Sequence, residues 1–172
     1  MLQKDTKDFY LADKYSLQQV EEEFGQQSSL EQEFNDLWDS TILEESIYSH
    51  ADYGGEYAGS GTLDYIEAKV LYFWIRMNEP KLIIEIGTAQ GVSASIICSA
   101  QEKNGHGNFI TIDSKPAHLP CKSFLDWEEG GSVEVVIQDA IQYFSRYKGQ
   151  EPDLIFLDAD HRKPFCDTII TL

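Results

Sequence analysis

The feature that most constrains the fold is an alternation, from residue 81 onwards, of short apolar segments with segments of helical pattern. The first segment, 81–86, is largely apolar without period-two alternation, which is typical of a parallel strand buried on both faces. Strand–helix alternation with short turns predicts right-handed βαβ units, and therefore a doubly wound, mostly parallel α/β sheet. The other predicted strands are 109–112, 133–137 and 154–157, and the predicted helices lie at about 90–102, 117–129, 140–147 and from Pro164 onwards.

The sequence divides into two regions. Residues 1–61 are predicted to form an acidic, helical N-terminal cap that ends in a loop, and residues 62–172 are predicted to form the α/β domain. Apolar residues after Ser29 recur at helical spacing. The acidic face of this helix is expected to face solvent, with substrate gating or dimerisation as the alternative. Residues 50–61 are rich in glycine and tyrosine and form either a connector or a lid over a ligand. Thr62 is the predicted N-cap of the next helix.

Composition excludes several classes of protein. The chain has 172 residues, enough for one domain, and its formal net charge is −17 with an isoelectric point near 4.4. A field of this sign repels phosphate backbones and anionic lipids, so we expect neither nucleic-acid nor membrane binding. The three cysteines show no C-x-x-C spacing, which argues against a disulfide framework or a zinc site. The sequence shows no signal-peptide run and no segment of roughly 20 apolar residues, so a cytoplasmic protein is expected.

The residues after the first predicted strand are candidates for ligand binding, because ligands of such sheets lie beyond the carboxyl ends of the strands. The stretch from Glu85 to Ser93 reads E-I-G-T-A-Q-G-V-S. Gly87 and Gly91 allow the backbone to turn sharply and to approach a ligand closely where a helix begins. The middle glycine of the dinucleotide fingerprint G-x-G-x-x-G is missing. A carboxylate beside the loop disfavours a pyrophosphate and favours a ligand with a positive centre and an amino group.

The second and third predicted strands also end in acidic residues. Asp113 follows the second strand, where its carboxylate can accept hydrogen bonds from ribose hydroxyls or cap a helix. Asp139 follows the third strand and can accept a hydrogen bond from the exocyclic amine of adenine, with Ala140 leaving room for the ring. Asp139 can equally cap the helix that starts at Ala140, and one residue can do both.

The polar residues that follow the fourth predicted strand are those for which a purely structural role is hardest to find. Its sequence is L-D-A-D-H, which places Asp158, Asp160 and His161 within four residues of one another. Packing gives no reason for two carboxylates and an imidazole at the carboxyl end of a strand, although a solvated polar turn is the simple alternative. These three residues are therefore candidates for catalysis or metal binding.

Taken in order, the motifs E-I-G-T-A-Q-G-V-S, I-T-I-D, Q-D-A and I-F-L-D-A-D-H resemble those of class I S-adenosylmethionine-dependent methyltransferases. Within this class, residues 60–170 resemble the O-methyltransferase branch that includes the catechol and caffeoyl-coenzyme A enzymes. The resemblance implies a Rossmann-like fold and S-adenosylmethionine as cofactor, with Asp113 at the ribose and Asp139 and Ala140 at the adenine. It also implies that the glycine loop binds the cofactor, chiefly its methionine part, through Glu85, Gly87, Thr88, Gly91 and Ser93.

The same resemblance implies a reaction, which is methyl transfer to a hydroxyl group of a small molecule. Asp158 matches the first divalent-metal ligand of the family, and Asp160 would help it to hold a magnesium ion that makes the hydroxyl easier to ionise. His161 stands where many of these enzymes keep a lysine as the general base, and related branches have a similar D-x-D-H pattern.

The chain departs from the family in the extent of its sheet. The family has seven strands, whereas four are predicted here, so the resemblance implies either a truncated chain or a sheet completed by a partner chain or a second copy. Two other functions remain open from the sequence. One is a nicotinamide-nucleotide oxidoreductase, and the other is a non-catalytic cofactor-binding or scaffold protein whose acidic helical region recruits a partner.

Overall fold

A computed structural model describes residues 28–39, 63–89, 91–114, 131–159 and 162–171. The segment at 50–61 and the predicted helix at 117–129 lie outside these residues, and the boundary between 61 and 62 stays a prediction. The described elements are α1 (Ser28–Trp38), α2 (Tyr65–Asn78), β1 (Leu82–Ile86), α3 (Val92–Asn104), β2 (Gly107–Asp113), β3 (Gly131–Ile137), α4 (Ala140–Arg146), β4 (Leu154–Leu157) and α5 (Lys163–Thr171).

The four strands form one parallel sheet in the order β3-β2-β1-β4, which confirms the predicted doubly wound sheet. Every residue of β1 is buried, as its unbroken apolar character predicts. The chain moves from β1 to β2 and β3 in one direction, and β4 then lies on the opposite side of β1. The order therefore reverses between β1 and β4, and this is where ligands of doubly wound sheets bind.

Apolar side chains cover both faces of the sheet and alternate along each strand. On one face, Ile83 and Phe109 pack with buried residues of α1, α2 and α3. On the other face, Ile84 and Ile112 pack against α4 and α5. Within the described part of the chain, no helix is both long and apolar enough to span a bilayer.

The start of α2 corrects the prediction that Thr62 is its N-cap. The N-cap is Asp64, whose carboxylate accepts hydrogen bonds from the backbone N–H groups of Ile66 and Glu67, both at 2.8 Å. The Glu67 side chain accepts a hydrogen bond from the Asp64 N–H at 3.0 Å in return. This reciprocal pair needs a glutamate three residues after the cap, which Asp64 has and Thr62 lacks.

Helix α1 packs on α2 through Phe34, which is fully buried. The ring of Phe34 lies 5.3 Å from that of Tyr65 and 5.6 Å from that of Tyr72, measured between centroids. Aromatic rings at such distances add to the free energy gained from burial alone. The hydrophobic spacing after Ser29 therefore predicted the packed face of α1 correctly.

The sequence predicts that the acidic face of α1 faces solvent, but two of its glutamates bind basic residues of α2. Glu31 accepts a hydrogen bond from Lys69 at 2.5 Å, and Glu33 forms an ion pair with Arg76 at 3.2 Å. Lys69 is itself buried, so its charge needs this partner. Two glutamates thus attach α1 to α2, in addition to the aromatic contacts.

Replacing Phe34 with alanine should lower the free energy of unfolding by about 3–5 kcal/mol, because a fully buried ring is lost from a packed cluster. Urea-induced unfolding measures the change. Ile170→Ala, at an exposed site of α5, is the control and should change stability by about 0.5 kcal/mol or less. A loss below about 1 kcal/mol for Phe34→Ala would show that α1 does not pack on α2.

Candidate functional site

The described part of the loop between β1 and α3 contains three residues with positive φ angles. Gly87 has a φ of +104° and Gly91 a φ of +82°, which side-chain-bearing residues rarely adopt. Ala89, between them, also has a positive φ of 43°. The N–H of Gly91 donates to the carbonyl of Thr88 at 2.7 Å and closes the turn. Helix α3 then begins, with Gly91 as an N-cap that has no side chain to occupy the first N–H groups.

Gly87 also lies against the carboxyl end of β4. A Cβ atom built on Gly87 would stand 2.3 Å from the carbonyl oxygen of Asp158 and 3.0 Å from the Cα of Ala159. The N–H of Asp158 donates to the carbonyl of Ile86 at 2.9 Å, which holds the two strand ends together. The chain's own backbone therefore requires a glycine at position 87, independently of any ligand.

Glu85 lies beneath this loop and has no exposed surface. Its two carboxylate oxygens accept hydrogen bonds from the hydroxyls of Ser93 on α3 and Thr111 on β2, each at 2.5 Å. The Thr111 hydroxyl is also hydrogen-bonded to that of Thr88. The predicted direct contact of Glu85 with a cofactor stays a prediction, and in this arrangement the side chain ties the loop to both neighbouring elements.

The charge of Glu85 is disfavoured by its surroundings. Burial raises the pKa of Glu85 to about 7, although the hydrogen bonds from Ser93 and Thr111 act in the opposite direction. The negative charges of Asp158 and Asp113 raise this pKa further. A buried carboxylate among other carboxylates becomes easier to ionise when a positive charge comes near it.

Asp113, at the end of β2, is half-buried and faces the loop. Its Oδ2 atom accepts a hydrogen bond from the N–H of Ala89 at 2.9 Å, and its backbone carbonyl accepts one from Gln138 at 2.9 Å. One carboxylate oxygen thus supports the strained turn of the loop. The predicted ribose contact of Asp113 would share this carboxylate.

Asp139 caps α4, which is one of the two roles that the sequence left open. Its Oδ1 atom accepts a hydrogen bond from the N–H of Gln142 at 2.9 Å, while the residue remains exposed. Ala140, the first residue of α4, is buried. The capping role is therefore present, and the adenine contact stays a prediction.

Of the predicted catalytic and metal-binding residues, Asp158 is within the described part of the chain. It is half-buried at the end of β4, beside Gly87. Asp160 and His161 lie outside the described residues. In the described ranges, no group of three or more histidine, cysteine, aspartate or glutamate side chains is arranged to hold a metal ion. The magnesium site thus stays a prediction that depends on Asp158 and Asp160 together.

Sequence reasoning missed Thr111, which is the residue that links Glu85 to β2. The two residues are paired in the register of β1 and β2. A hydroxyl between Ile110 and Ile112 in an otherwise apolar strand was the available signal. A buried polar side chain needs a partner, and the acidic residue of the neighbouring strand provides it.

These features define a class of protein. A parallel sheet whose strand order reverses beside a glycine loop, with Asp113 and Asp158 at flanking strand ends, belongs to the doubly wound α/β proteins that bind ligands at this edge. Residues 84–172 match the protein-family model described as "Methyltransferase domain", and the chain belongs to this methyltransferase family. The resemblance inferred from the four motifs is confirmed at the level of family and fold.

Curated relatives carry related names. A protein of Mycobacterium sp. (strain KMS) named "Putative O-methyltransferase" is 27% identical over 125 residues, which cover 71% of this chain and 56% of the relative. A similarly named protein of Mycolicibacterium smegmatis is 26% identical over 123 residues, covering 70% of this chain and 58% of the relative. The chain thus spans a little over half the length of the curated relatives that it matches.

Solved structures share the fold. A methyltransferase of Podospora anserina, determined with SAH bound, has a TM-score of 0.61 at 20% identity, over 77% of this chain and 56% of that one. The O-methyltransferase of Bacillus cereus in complex with SAH has a TM-score of 0.57 at 19% identity, over 78% and 62%. TomG of Streptomyces achromogenes, in complex with SAM, has a TM-score of 0.58 at 18% identity, over 78% and 61%.

Replacing Gly87 with alanine should lower the free energy of unfolding by about 2–5 kcal/mol, since left-handed strain adds to a collision with the backbone of β4. Gly105→Ala is the matched control, because Gly105 has a φ of +74° and no neighbour within 4 Å of an added Cβ. This control should lose only about 1–2 kcal/mol of strain. Urea-induced unfolding of both variants makes the comparison, and equal losses would show that the contact with Asp158 is unimportant.

Proposed function

We propose that this protein takes part in S-adenosylmethionine-dependent methylation of a hydroxyl group on a small molecule. The observation that carries the proposal is the meeting of the glycine loop, Asp113 and Asp158 at the point where the strand order reverses, in a chain of the methyltransferase family. The names of the relatives and the SAH- or SAM-bound neighbours support the same reaction class.

The described residues fit the chemistry of this cofactor. The N-terminus of α3 has no side-chain cap, so its N–H groups would receive the carboxylate of the cofactor. Asp113 is half-buried at the adjacent strand end, where its carboxylate would accept hydrogen bonds from the ribose. Asp139 and Ala140, one strand further along the sheet, would lie at the adenine. The glycine loop would thus hold the amino-acid end of the cofactor, and the β2 and β3 ends would hold its nucleoside.

Catalysis by this chain would consist of alignment and proton removal. The cofactor supplies an electrophilic methyl group on a sulfonium, so the protein has to align the acceptor oxygen with it and remove the hydroxyl proton. We assign proton removal to His161. Asp158, with Asp160, would hold a magnesium ion that favours ionisation of the acceptor.

The identity of the methyl acceptor and the way in which the sheet is completed are also part of this proposal. The chain spans 56% of the relative from strain KMS, so residues outside this sequence, a partner chain or a second copy would complete the sheet beside β4. A nicotinamide-dependent oxidoreductase is disfavoured because the matched family is a methyltransferase domain. A non-catalytic cofactor-binding relative is the outcome if ligand binds and no acceptor is methylated.

Asp113→Ala should weaken binding of S-adenosylhomocysteine by about 5- to 150-fold, because ribose hydroxyls lose an acceptor worth about 1–3 kcal/mol. Isothermal titration calorimetry measures the dissociation constant. Asp167→Ala is the control, since it removes an exposed carboxylate of α5 that pairs with Lys163. If Asp113→Ala loses stability while its affinity is unchanged, Asp113 supports the loop through Ala89 and does not bind the ribose.

Asp158→Asn and His161→Ala should separate metal binding from proton removal. The asparagine variant should need more magnesium for the same rate, because a charged ligand is lost. His161→Ala should keep its cofactor affinity and lose roughly 10²- to 10⁴-fold in rate. The measurement is S-adenosylhomocysteine release with a panel of small phenols and alcohols, on protein with a complete sheet. A His161→Ala variant with the parent's rate would show that the base lies elsewhere.

A further inference from the structure

The side chain of Asn104 joins the C-terminal ends of α2 and α3. Asn104 is the last residue of α3, and its Nδ2 atom donates a hydrogen bond to the carbonyl of Ile75 on α2 at 3.0 Å. Its Oδ1 atom accepts a hydrogen bond from the guanidinium of Arg76. The same Ile75 carbonyl accepts a hydrogen bond from the N–H of Glu79, at 3.0 Å. Asn104 therefore helps to cap a helix to which it does not belong.

Gly105, which follows Asn104, leaves its own backbone nitrogen open to approach. It is exposed at the C-cap of α3 with a φ of +74°, and an added Cβ atom would have no described neighbour within 4 Å. Its N–H donates to the carbonyl of Glu102 at 2.9 Å. Hydrogen bonds at the end of a helix open more often than those of its interior. When this last turn opens, the Gly105 nitrogen can reach the side-chain carbon of Asn104.

We propose that Asn104 is a site of spontaneous deamidation, with the Gly105 nitrogen as the nucleophile and water as the second reactant. The nitrogen forms a bond to Cγ of Asn104, and the bond between Cγ and Nδ2 breaks. The proton of the Gly105 nitrogen leaves with the amide nitrogen as ammonia, and a succinimide remains. Water then opens this ring at either of its carbonyls, which gives aspartate or isoaspartate. The inference does not depend on the proposed function.

Arg76 restrains this reaction in the folded protein. Its guanidinium binds Oδ1 of Asn104 while the Ile75 carbonyl holds Nδ2, so the amide keeps one orientation. A hydrogen bond from a charged donor is stronger than one between neutral groups. Arg76 is itself fixed by Glu33 of α1 at 3.2 Å, and its side chain is 16% exposed. The amide must leave both partners before the Gly105 nitrogen attacks, so the rate depends on how often the junction opens.

Asn78 provides a matched comparison within the same chain. It is the last residue of α2, and its Nδ2 atom donates to the carbonyl of Trp74 at 2.8 Å. The next residue, Glu79, is left-handed with a φ of +47°, as Gly105 is at the end of α3. Glu79 carries a side chain that hinders attack by its backbone nitrogen. Asn78 is exposed and Asn104 is half-buried, so exposure alone would predict the opposite order of reactivity.

Deamidation weakens the junction between α2 and α3. A carboxylate at position 104 has no N–H group for the Ile75 carbonyl, which loses one of its donors. It also places a negative charge at the C-terminal ends of two helices, where the helix dipoles disfavour it. Isoaspartate lengthens the main chain at this position as well. The modified protein should therefore unfold at a lower urea concentration than the unmodified protein.

The experiment incubates the folded protein at pH 8 and measures conversion of Asn104 and Asn78 in the same samples by peptide mapping with mass spectrometry. Asn104 should be converted and Asn78 should not. Arg76→Met should accelerate conversion of Asn104 by roughly tenfold, because a charge-assisted hydrogen bond is lost. Glu33→Gln is the matched control, since it removes the same ion pair with α1 and keeps the bond from Arg76 to Asn104. Gly105→Ala should suppress the conversion.

Three outcomes would overturn the inference. The first is conversion of Asn78 at the rate of Asn104 or faster. The second is conversion of Asn104 in urea-unfolded protein and none in the folded protein under otherwise equal conditions, since the junction would then not open. The third is an Arg76→Met rate no higher than that of Glu33→Gln. Should Arg76→Met fail to fold, the comparison of Asn104 with Asn78 and the effect of Gly105→Ala decide.

Discussion

The two hydrogen bonds to the carboxylate of Glu85 determine how the site is assembled. They connect β1 to β2 through Thr111 and β1 to α3 through Ser93. The glycine loop spans the space between these anchors, and its Thr88 hydroxyl is hydrogen-bonded to Thr111. The loop is therefore fixed from below, which allows Ala89 to keep its left-handed conformation although this conformation costs free energy.

A second constraint fixes the other side of the loop, where Gly87 meets the backbone of Asp158. In the proposed function, cofactor binding belongs to the ends of β1 and β2, and catalysis belongs to the end of β4. The contact at Gly87 brings these ends together and sets the distance between them. A side chain at position 87 would separate the proposed cofactor loop from the proposed catalytic residue, so one glycine would serve both the fold and the proposed chemistry.

The sequence predicted the strands, their parallel arrangement and the acidic residues at the strand ends, because apolar runs and strand-to-helix turns are local signals. It did not predict the contacts that depend on register or on helix packing. Thr111 became important because it lies opposite Glu85, and Glu31 pairs with Lys69 because α1 packs on α2. The N-cap of α2 is Asp64 and not the predicted Thr62, because Glu67 completes a capping box with Asp64 whereas Tyr65 follows Thr62 by three residues.

The distribution of charge links the two layers of the molecule. The acidic surface of α1 is partly neutralised by Lys69 and Arg76, which are the two basic residues of α2. Burial is the main cause of the raised pKa of Glu85, and repulsion from the carboxylates of Asp158 and Asp113 adds to it. Repulsion of this kind lowers stability in the absence of ligand, and a cation reverses it. A site that is destabilised when empty can gain affinity for a positively charged ligand without any additional contact.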